Sequence, residues 1–402
     1  MARRVAILGS TGSIGTTALR VIDGLNAALG EEERFEVAAL SGHSNIKLLA
    51  EQVRRYKPKY VAVTDGDYAG QFRRLVEEEK VKILEGAEGL EEIARLEDID
   101  TVLAAVVGVA GLKATLAAVR KGKRIAIANK EPLVIAGRLI MGEAKKSGAE
   151  ILPVDSEHSA IFQALAAGKR GEVEKIILTT SGGPFRGATA EEIREATKSE
   201  VLAHPVWRMG KKITVDSATM MNKALEVIEA RWLFDIPAEK IEVLVHPQSI
   251  VHSMVEFVDG SVIAQMGMPD MSLPIQYALT YPARMAGVAK KLRLEKLKTL
   301  TFESVSVQVF PAIEMGFEVA KKGGTAAAVF NAANEAAVEE FLAGRIKFGN
   351  IVELVRHCLD GCEYKSEATL AELLEADRWA KKEVKECLKS QITKSKSQTN
   401  YN

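Results

Sequence analysis

Between residues 5 and 128, six short apolar runs (5–8, 35–40, 60–64, 81–84, 101–107 and 124–128) alternate with longer stretches of helical composition. The runs are apolar at consecutive positions rather than at every second one, so a sheet built from them must be covered on both faces. Strand–helix alternation with two-sided burial restricts this region to a parallel, doubly wound, Rossmann-like α/β domain. Such domains bind ligands beyond the carboxyl ends of their strands. The residues that follow each run are therefore where function is sought.

The first run leads into Gly9-Ser10-Thr11-Gly12-Ser13-Ile14-Gly15, which opens a helix. Glycine lets the backbone approach a pyrophosphate, and the helix N-terminus offers unpaired N–H groups and partial positive charge. The Gly-x-x-Gly-x-x-Gly spacing departs from the commoner dinucleotide pattern, but its place after strand one points to dinucleotide binding. After the second run the chain reads Leu40-Ser41-Gly42-His43-Ser44-Asn45. An NAD-selective enzyme carries an acid there for the ribose hydroxyls. With no carboxylate to repel a 2′-phosphate, NADP is favoured over NAD, and His43 is either a phosphate contact or a plain turn residue. After the sixth run, Ala128-Asn129-Lys130-Glu131 fits a helix cap as well as a cofactor contact through Asn129 and Glu131, with Lys130 turned to a substrate.

Beyond residue 150 the pattern changes. Residues 150–281 hold strand-like runs at 151–154 and 175–180 and a hairpin of 250–258 with 261–266, turned at Asp259-Gly260, which predicts a second α/β domain with a mixed sheet. Strands of this kind at a domain's end commonly pair across a subunit interface, so a homodimer is expected. Residues 282–306 have no apolar stripe and read as a connection. The stretch from 307 to 388 is helical throughout and predicts a small bundle, and residues 389–402, rich in Lys, Ser, Gln and Thr, are expected to be disordered.

The charge balance, 54 basic against 54 acidic residues, argues against general nucleic-acid or acidic-membrane binding, which needs clustered positive charge. Cys358, Cys362 and Cys387 lack the partners of a zinc site and read as reduced thiols. No apolar run approaches the roughly 20 residues of a membrane span. The chain runs from Met1 into an apolar strand with no room for a signal peptide's core, so a cytoplasmic protein is expected.

Three segments carry the chemistry. In Asp155-Ser156-Glu157-His158, an extended backbone places Asp155 and Glu157 on one side, two carboxylates able to share a hard cation, although a helix cap explains them equally. In Asp216-Ser217-Ala218-Thr219-Met220-Met221-Asn222-Lys223-Ala224-Leu225-Glu226, Ser217 is placed to cap a new helix. On it Asn222 and Glu226 are i,i+4 and Lys223 and Glu226 i,i+3, an arrangement suited to a metal and a phosphate or simply to a solvated ion pair. Glu226 would supply a third carboxylate, and such a set suits Mg²⁺, Mn²⁺ or Co²⁺. Thr179-Thr180-Ser181-Gly182-Gly183-Pro184 offers a hydroxyl and a glycine pair to a phosphate oxygen. His204-Pro205-Val206-Trp207-Arg208-Met209-Gly210 has the large apolar side chains of a lid, or of a packed surface loop. His158, His246 and His252 read as structural.

Taken together, Gly9 to Gly15, Asn129-Lys130-Glu131, Asp155-Ser156-Glu157, Ser181 to Phe185, the His204 loop, Asp216 to Glu226 and His246-Pro247-Gln248-Ser249-Ile250-Val251-His252-Ser253-Met254 resemble the 1-deoxy-D-xylulose 5-phosphate reductoisomerase family, in order along the chain. The resemblance implies an NADPH- and divalent-metal-dependent enzyme of non-mevalonate isoprenoid synthesis. It would rearrange 1-deoxy-D-xylulose 5-phosphate and reduce the product to 2-C-methyl-D-erythritol 4-phosphate. By matching position it implies Asp155, Glu157 and Glu226 as metal ligands. It implies Lys130, Ser156, Ser181, His204, Ser217, Asn222 and Lys223 around the phosphorylated substrate, with His204 and Lys223 in the catalytic set. Thr11, Gly12, Ser13, Ile14, Gly42, Asn45, Asn129, Glu131 and Gly210 are implied at NADPH. It also implies a homodimer whose domains match the partition above: NADPH-binding (1–149), catalytic and dimerisation (150–281), linker (282–306) and helical (307–388). Rival assignments are an NADP-dependent semialdehyde or homoserine-type dehydrogenase, which needs no three carboxylates, and a non-catalytic NADPH sensor.

Overall fold

The computed structural model describes residues 3–207 and 210–399. In chain order its elements are β1 (Arg3–Leu8), α1 (Ser13–Asn26), β2 (Phe35–Gly42), α2 (Ile46–Tyr56), β3 (Tyr60–Val63), α3 (Gly66–Leu75), β4 (Lys82–Glu85), α4 (Gly86–Arg95), β5 (Thr101–Ala104), α5 (Leu112–Arg120), β6 (Arg124–Ile127), α6 (Glu131–Ser147), β7 (Glu150–Pro153) and α7 (Ser156–Ala164). There follow β8 (Val173–Thr180), α8 (Ala190–Arg194), α9 (Lys198–Val201), α10 (Lys211–Ala218), α11 (Met221–Leu233), β9 (Ile241–Val245), β10 (Val251–Phe257), β11 (Val262–Met266), α12 (Ser272–Thr280), β12 (Glu303–Ser304), α13 (Pro311–Lys322), α14 (Thr325–Leu342), α15 (Asn350–Gly361) and α16 (Leu370–Thr399).

The chain forms two compact units. The first comprises residues up to Pro132, Ile140–Val173 and Ile250–Lys298. Its sheet runs β4-β3-β2-β1-β5-β6-β7, parallel throughout. Winding reverses between β1 and β5, the switch point at which doubly wound sheets take ligands. The run at 151–154, expected in the second domain, is β7 and pairs with β6 from Arg124↔Glu150 to Ile127↔Pro153. A four-residue apolar strand carries no mark of which sheet it will join, and here burial beside β6 decides.

Val5, Ile7, Leu40 and Val61 make one core with Ile275 and Leu279 of α12. Each such side chain, when fully buried, contributes about 1.5–3 kcal/mol. That burial, with Arg20 Nη2 donating to Ser272 Oγ at 2.7 Å, is why residues 250–298 group with the nucleotide-type sheet. Residues 150–281, taken above as one block, are thus shared between the units. The expected hairpin is present: β10 and β11 are antiparallel, and the Ser261 amide donates to Asp259 Oδ1 at 2.9 Å in the turn.

The second unit comprises Leu133–Leu139, Glu174–Ser249 and the chain from Thr299 onward. β8 and β9 are parallel and β12 joins β9 antiparallel, a mixed arrangement. β12 lies within the stretch 282–306 read as a plain connection, and that stretch divides between the units after Lys298. The helical bundle is present as α13 to α16. α14, rich in alanine, is buried on nearly every side, as expected of a helix apolar all round. α16 continues to Thr399, through most of the tail expected to be disordered. Extending a formed helix costs little for Lys and Gln, whose helix propensities are good. Residues 400–402 of that tail lie outside the described residues. No described helix is long and apolar enough to cross a membrane.

Candidate active site

At the switch point of the first unit, Gly9 leaves β1 with φ +87°, and a Cβ there would lie 2.5 Å from the Ala105 carbonyl oxygen beyond β5. Gly15 is more constrained still, since its Cβ would fall 2.4 Å from both Gly9 O and Ser10 Cα. The loop is therefore folded tightly onto the start of α1. Gly12 is the N-cap of α1 and supplies no side-chain cap, so Thr11, Gly12, Ser13 and Ile14 surround an uncapped helix N-terminus. Ser10 turns inward, its Oγ donating to Gln52 Oε1 at 2.7 Å and lying 3.0 Å from the Ser41 carbonyl oxygen. Gly42 packs under this loop, its would-be Cβ 3.2 Å from Thr11 Cγ2.

The groups beyond β2 are partly committed. Asn45 caps α2, accepting the Leu48 amide at 3.3 Å. His43 Nδ1 lies 2.9 Å from Thr64 Oγ1, and its Nε2 lies 3.7 Å from Asp65 Oδ2, so a carboxylate does stand near this corner, brought from the end of β3. Beyond β6, Asn129 is buried and donates through Nδ2 to the Gly108 carbonyl, while its Oδ1 has no hydrogen-bond partner among the described residues. An orphan buried acceptor suits a ligand with an N–H donor, such as an amide-bearing cofactor. Glu131, in the first turn of α6, is also buried.

Lys130 and Asp155 follow the neighbouring strands β6 and β7, and Lys130 Nζ lies 2.9 Å from Asp155 Oδ2. Asp155 is the N-cap of α7 and accepts the Glu157 amide at 3.3 Å. The extended geometry expected for Asp155 and Glu157 is replaced by a helix start, because the cap draws the chain into α7 at Ser156. The cap and the functional assignment are compatible, since Asp155 has a second oxygen for Lys130 or a cation. Ser156 Oγ donates to Glu157 Oε2 at 2.5 Å. His158, set aside from the sequence, is fully buried with Nδ1 3.7 Å from Asp155 Oδ1. Its i,i+3 spacing from Asp155 was the available signal.

In the second unit, Ser181 follows β8 and its Oγ accepts the Gly183 amide at 3.3 Å. Nδ1 of His204 accepts two backbone amides, from Val206 at 3.2 Å and Trp207 at 2.9 Å. That leaves the proton on Nε2, which donates to Ser181 Oγ at 3.3 Å. Half-burial pushes the His204 pKa below its ordinary value, so near neutrality the ring is an uncharged N–H donor. Arg208 and Met209 of the expected lid lie outside the described residues, and Gly210 is the exposed N-cap of α10.

Ser217 does not cap a new helix. It lies in the last turn of α10, and the following helix starts at Met221 after Met220 bends the chain with φ +62°. The N-cap is Met220, which offers no side-chain cap, and the Thr219 Oγ1 just before it accepts the Met221 amide at 3.2 Å. The bend places two helix segments at one corner, with Ser217 on the first and Asn222, Lys223 and Glu226 on the second. Asn222 Nδ2 donates to Glu226 Oε1 at 2.5 Å, and Lys223 Nζ pairs with Glu226 Oε2. Lys223 and Glu226 are 2% and 1% exposed, which rules out the solvated-pair alternative. Ser217, Asn222, Ser181 and His204 all remain partly open.

Comparison with known proteins decides among the assignments. The sequence model described as 1-deoxy-D-xylulose 5-phosphate reductoisomerase matches residues 5–137. Its C-terminal domain model matches 151–234, and a further DXP reductoisomerase C-terminal domain matches 266–383. A reductoisomerase of this name from Pelodictyon phaeoclathratiforme is 50% identical over 95% of this chain and 99% of its own. The chain belongs to the 1-deoxy-D-xylulose 5-phosphate reductoisomerase family. A family member from Clostridium perfringens is 47% identical over 94% of this chain and 97% of its own. Among solved structures, the Zymomonas mobilis reductoisomerase in complex with NADPH superposes with a TM-score of 0.89 at 42% identity, covering 97% of this chain and 100% of that one. A DOX-P reductoisomerase with NADPH, fosmidomycin and magnesium gives 0.90 at 40% identity, over 96% and 98%.

Proposed function

We propose that this chain rearranges 1-deoxy-D-xylulose 5-phosphate and reduces the rearranged aldehyde with NADPH to 2-C-methyl-D-erythritol 4-phosphate, a step toward isoprenoid precursors. Family membership supports the reaction, and one observation in this chain carries the assignment of residues. Lys223 and Glu226 are opposite charges already stripped of water, with Asn222 on the same carboxylate. An anion arriving at the ammonium and a cation arriving at the carboxylate each meet a desolvated counter-charge, where attraction is strongest.

Asp155, Glu157 and Glu226 would hold one divalent cation, because an all-carboxylate donor set suits Mg²⁺, Mn²⁺ or Co²⁺ rather than a structural zinc. Such an ion supplies Lewis acidity to the substrate's ketone and neighbouring hydroxyl oxygens. NADPH supplies the hydride, and the chain fits it through the uncapped start of α1, the Gly9–Gly15 loop and the unpaired Asn129 Oδ1. Gly42, Asn45, Glu131 and Gly210 complete the proposed cofactor contacts.

The remaining steps belong to the protein's own side chains. Ser181, Ser217, Asn222 and the Nε2–H of His204 donate to phosphate oxygens beside the Lys223 charge, so binding energy from the unreactive end of the substrate orients the reacting end. Lys130, held by Asp155, and Ser156 lie toward the substrate hydroxyls. Trp207, in the loop between α9 and α10, excludes water from the aldehyde. In this proposal the enzyme is a cytoplasmic homodimer, and the β10–β11 hairpin, with Val262 and Ile263 exposed, supports the dimer. Incubating the protein with 1-deoxy-D-xylulose 5-phosphate, NADPH and Mg²⁺ tests the proposal by mass spectrometry. 2-C-methyl-D-erythritol 4-phosphate is expected, and unaltered substrate would sink it.

A further inference from the structure

α14 is the most thoroughly buried helix of the bundle, yet it carries two amides, Asn331 and Asn334, with no exposure at all. An amide in such a place is unfavourable unless its polar atoms are used. Asn334 uses only one side: Nδ2 donates to Asp216 Oδ1 at 2.8 Å, while Oδ1 has no hydrogen-bond partner among the described residues. Asp216 is equally buried, and its Oδ2 receives Lys212 Nζ at 2.9 Å from one turn earlier on α10. Its two oxygens are thus held by α10 and by α14.

Asp216 immediately precedes Ser217. On the other side of that turn, the Ser217 carbonyl oxygen lies 2.8 Å from where a Cβ on Gly183 would be, so the loop after β8 closes against it. The last turn of α10 is therefore set between the glycine pair and α14. Apolar packing would hold this helix in place without fixing its rotation, whereas a buried carboxylate–amide contact has a direction. Rotation of α10 sets where Ser217 points and, through the bend at Met220, where α11 begins with Asn222 and Lys223.

We propose that Asn334 and Asp216 are positioning residues for the substrate's phosphate: neither touches it, and together they orient the helix corner that does. The inference rests on Ser217, Asn222 and Lys223 being the phosphate anchors, as proposed above. Asn334→Leu, close to the same shape, removes the donor. The expected result is a KM for 1-deoxy-D-xylulose 5-phosphate raised about 10-fold, the scale of one charge-assisted hydrogen bond held off its geometry, with kcat and the NADPH KM within about twofold. The double variant Asp216→Asn with Asn334→Asp keeps the hydrogen bond with donor and acceptor exchanged, and it should return KM most of the way. A merely structural role predicts a lower Tm, activity scaled by the folded fraction and an unmoved KM, and that result overturns the proposal. If Asn334→Leu does not fold, Asn334→Ser takes its place with the same expectations. Calorimetric titration with inorganic phosphate separates this inference from the assigned reaction, since it needs no turnover. Weaker phosphate binding in the variant supports the positioning role whatever the wild-type activity, and equal binding overturns it.

Discussion

Lys223 and Glu226, one turn apart on α11, form an ion pair with almost no solvent exposure, and Asn222 donates to the same carboxylate. Removing one member of such a pair strands a buried charge at a cost of about 3–5 kcal/mol, whereas replacing both with apolar groups is often neutral. Glu226→Gln and Lys223→Met should each lower Tm clearly. Lys223→Met with Glu226→Leu should recover most of that loss while remaining inactive. Thermal unfolding beside an activity assay checks this, and a double variant no more stable than the single ones would show that the pair is not a desolvated unit.

Glu226→Gln should also separate the two ligands. Turnover is expected to vanish with NADPH affinity nearly unchanged, because the carboxylate is assigned to the cation. Fluorescence titration with NADPH reads the second half of this. A large loss of cofactor binding would place Glu226 elsewhere in the mechanism.

His204 gives a pH signature. Burial holds its folded pKa below the ordinary value, so as pH falls through about 6.5 the unfolded chain takes up a proton before the folded one does. The stability tied to this group is complete above about 6.5 and is lost as pH falls through the depressed folded value. His204→Gln should flatten that part of the Tm–pH curve and raise the substrate KM by about 10-fold or more, the loss of one hydrogen bond to a charged group. A Tm–pH curve unchanged by the substitution would remove His204 from this role.

Gly183 tests the packing behind Ser217. At φ +64° an alanine is strained, and its Cβ would also meet the Ser217 carbonyl at 2.8 Å. Gly187, at φ +83° with nothing within 4 Å of a would-be Cβ, carries the strain without the collision. Gly183→Ala should raise the substrate KM well beyond Gly187→Ala, with NADPH binding alike in both. Equal effects in steady-state assays would mean that only backbone strain is being measured.

Much of this was legible where physics is local. The six apolar runs became β1 to β6 because consecutive burial leaves a strong pattern, and the loop from Gly9 to Gly15 announced itself by its place after β1. The pairings of β7 and of residues 250–298 were not legible, since a short apolar strand and an amphipathic helix fit more than one partner. The spacing of Asn222, Lys223 and Glu226 predicted one shared face but not its burial, which depends on what packs above it. Ser217 looked like a cap because serine favours caps, while the left-handed Met220, with the Thr219 hydroxyl accepting the Met221 amide, puts the cap three residues on. The contact of Asn334 with Asp216 spans 118 residues, and neither residue type in isolation announces it.

The central claim is that carboxylates from separate segments hold a cation needed for NADPH-dependent reduction of one particular sugar phosphate. Its most direct test is NADPH oxidation, followed at its absorbance band, by chelator-treated protein given 1-deoxy-D-xylulose 5-phosphate with and without Mg²⁺, Mn²⁺ or Co²⁺. The account predicts turnover only when substrate and metal are both present. Equal oxidation without metal, or none in its presence, would contradict it.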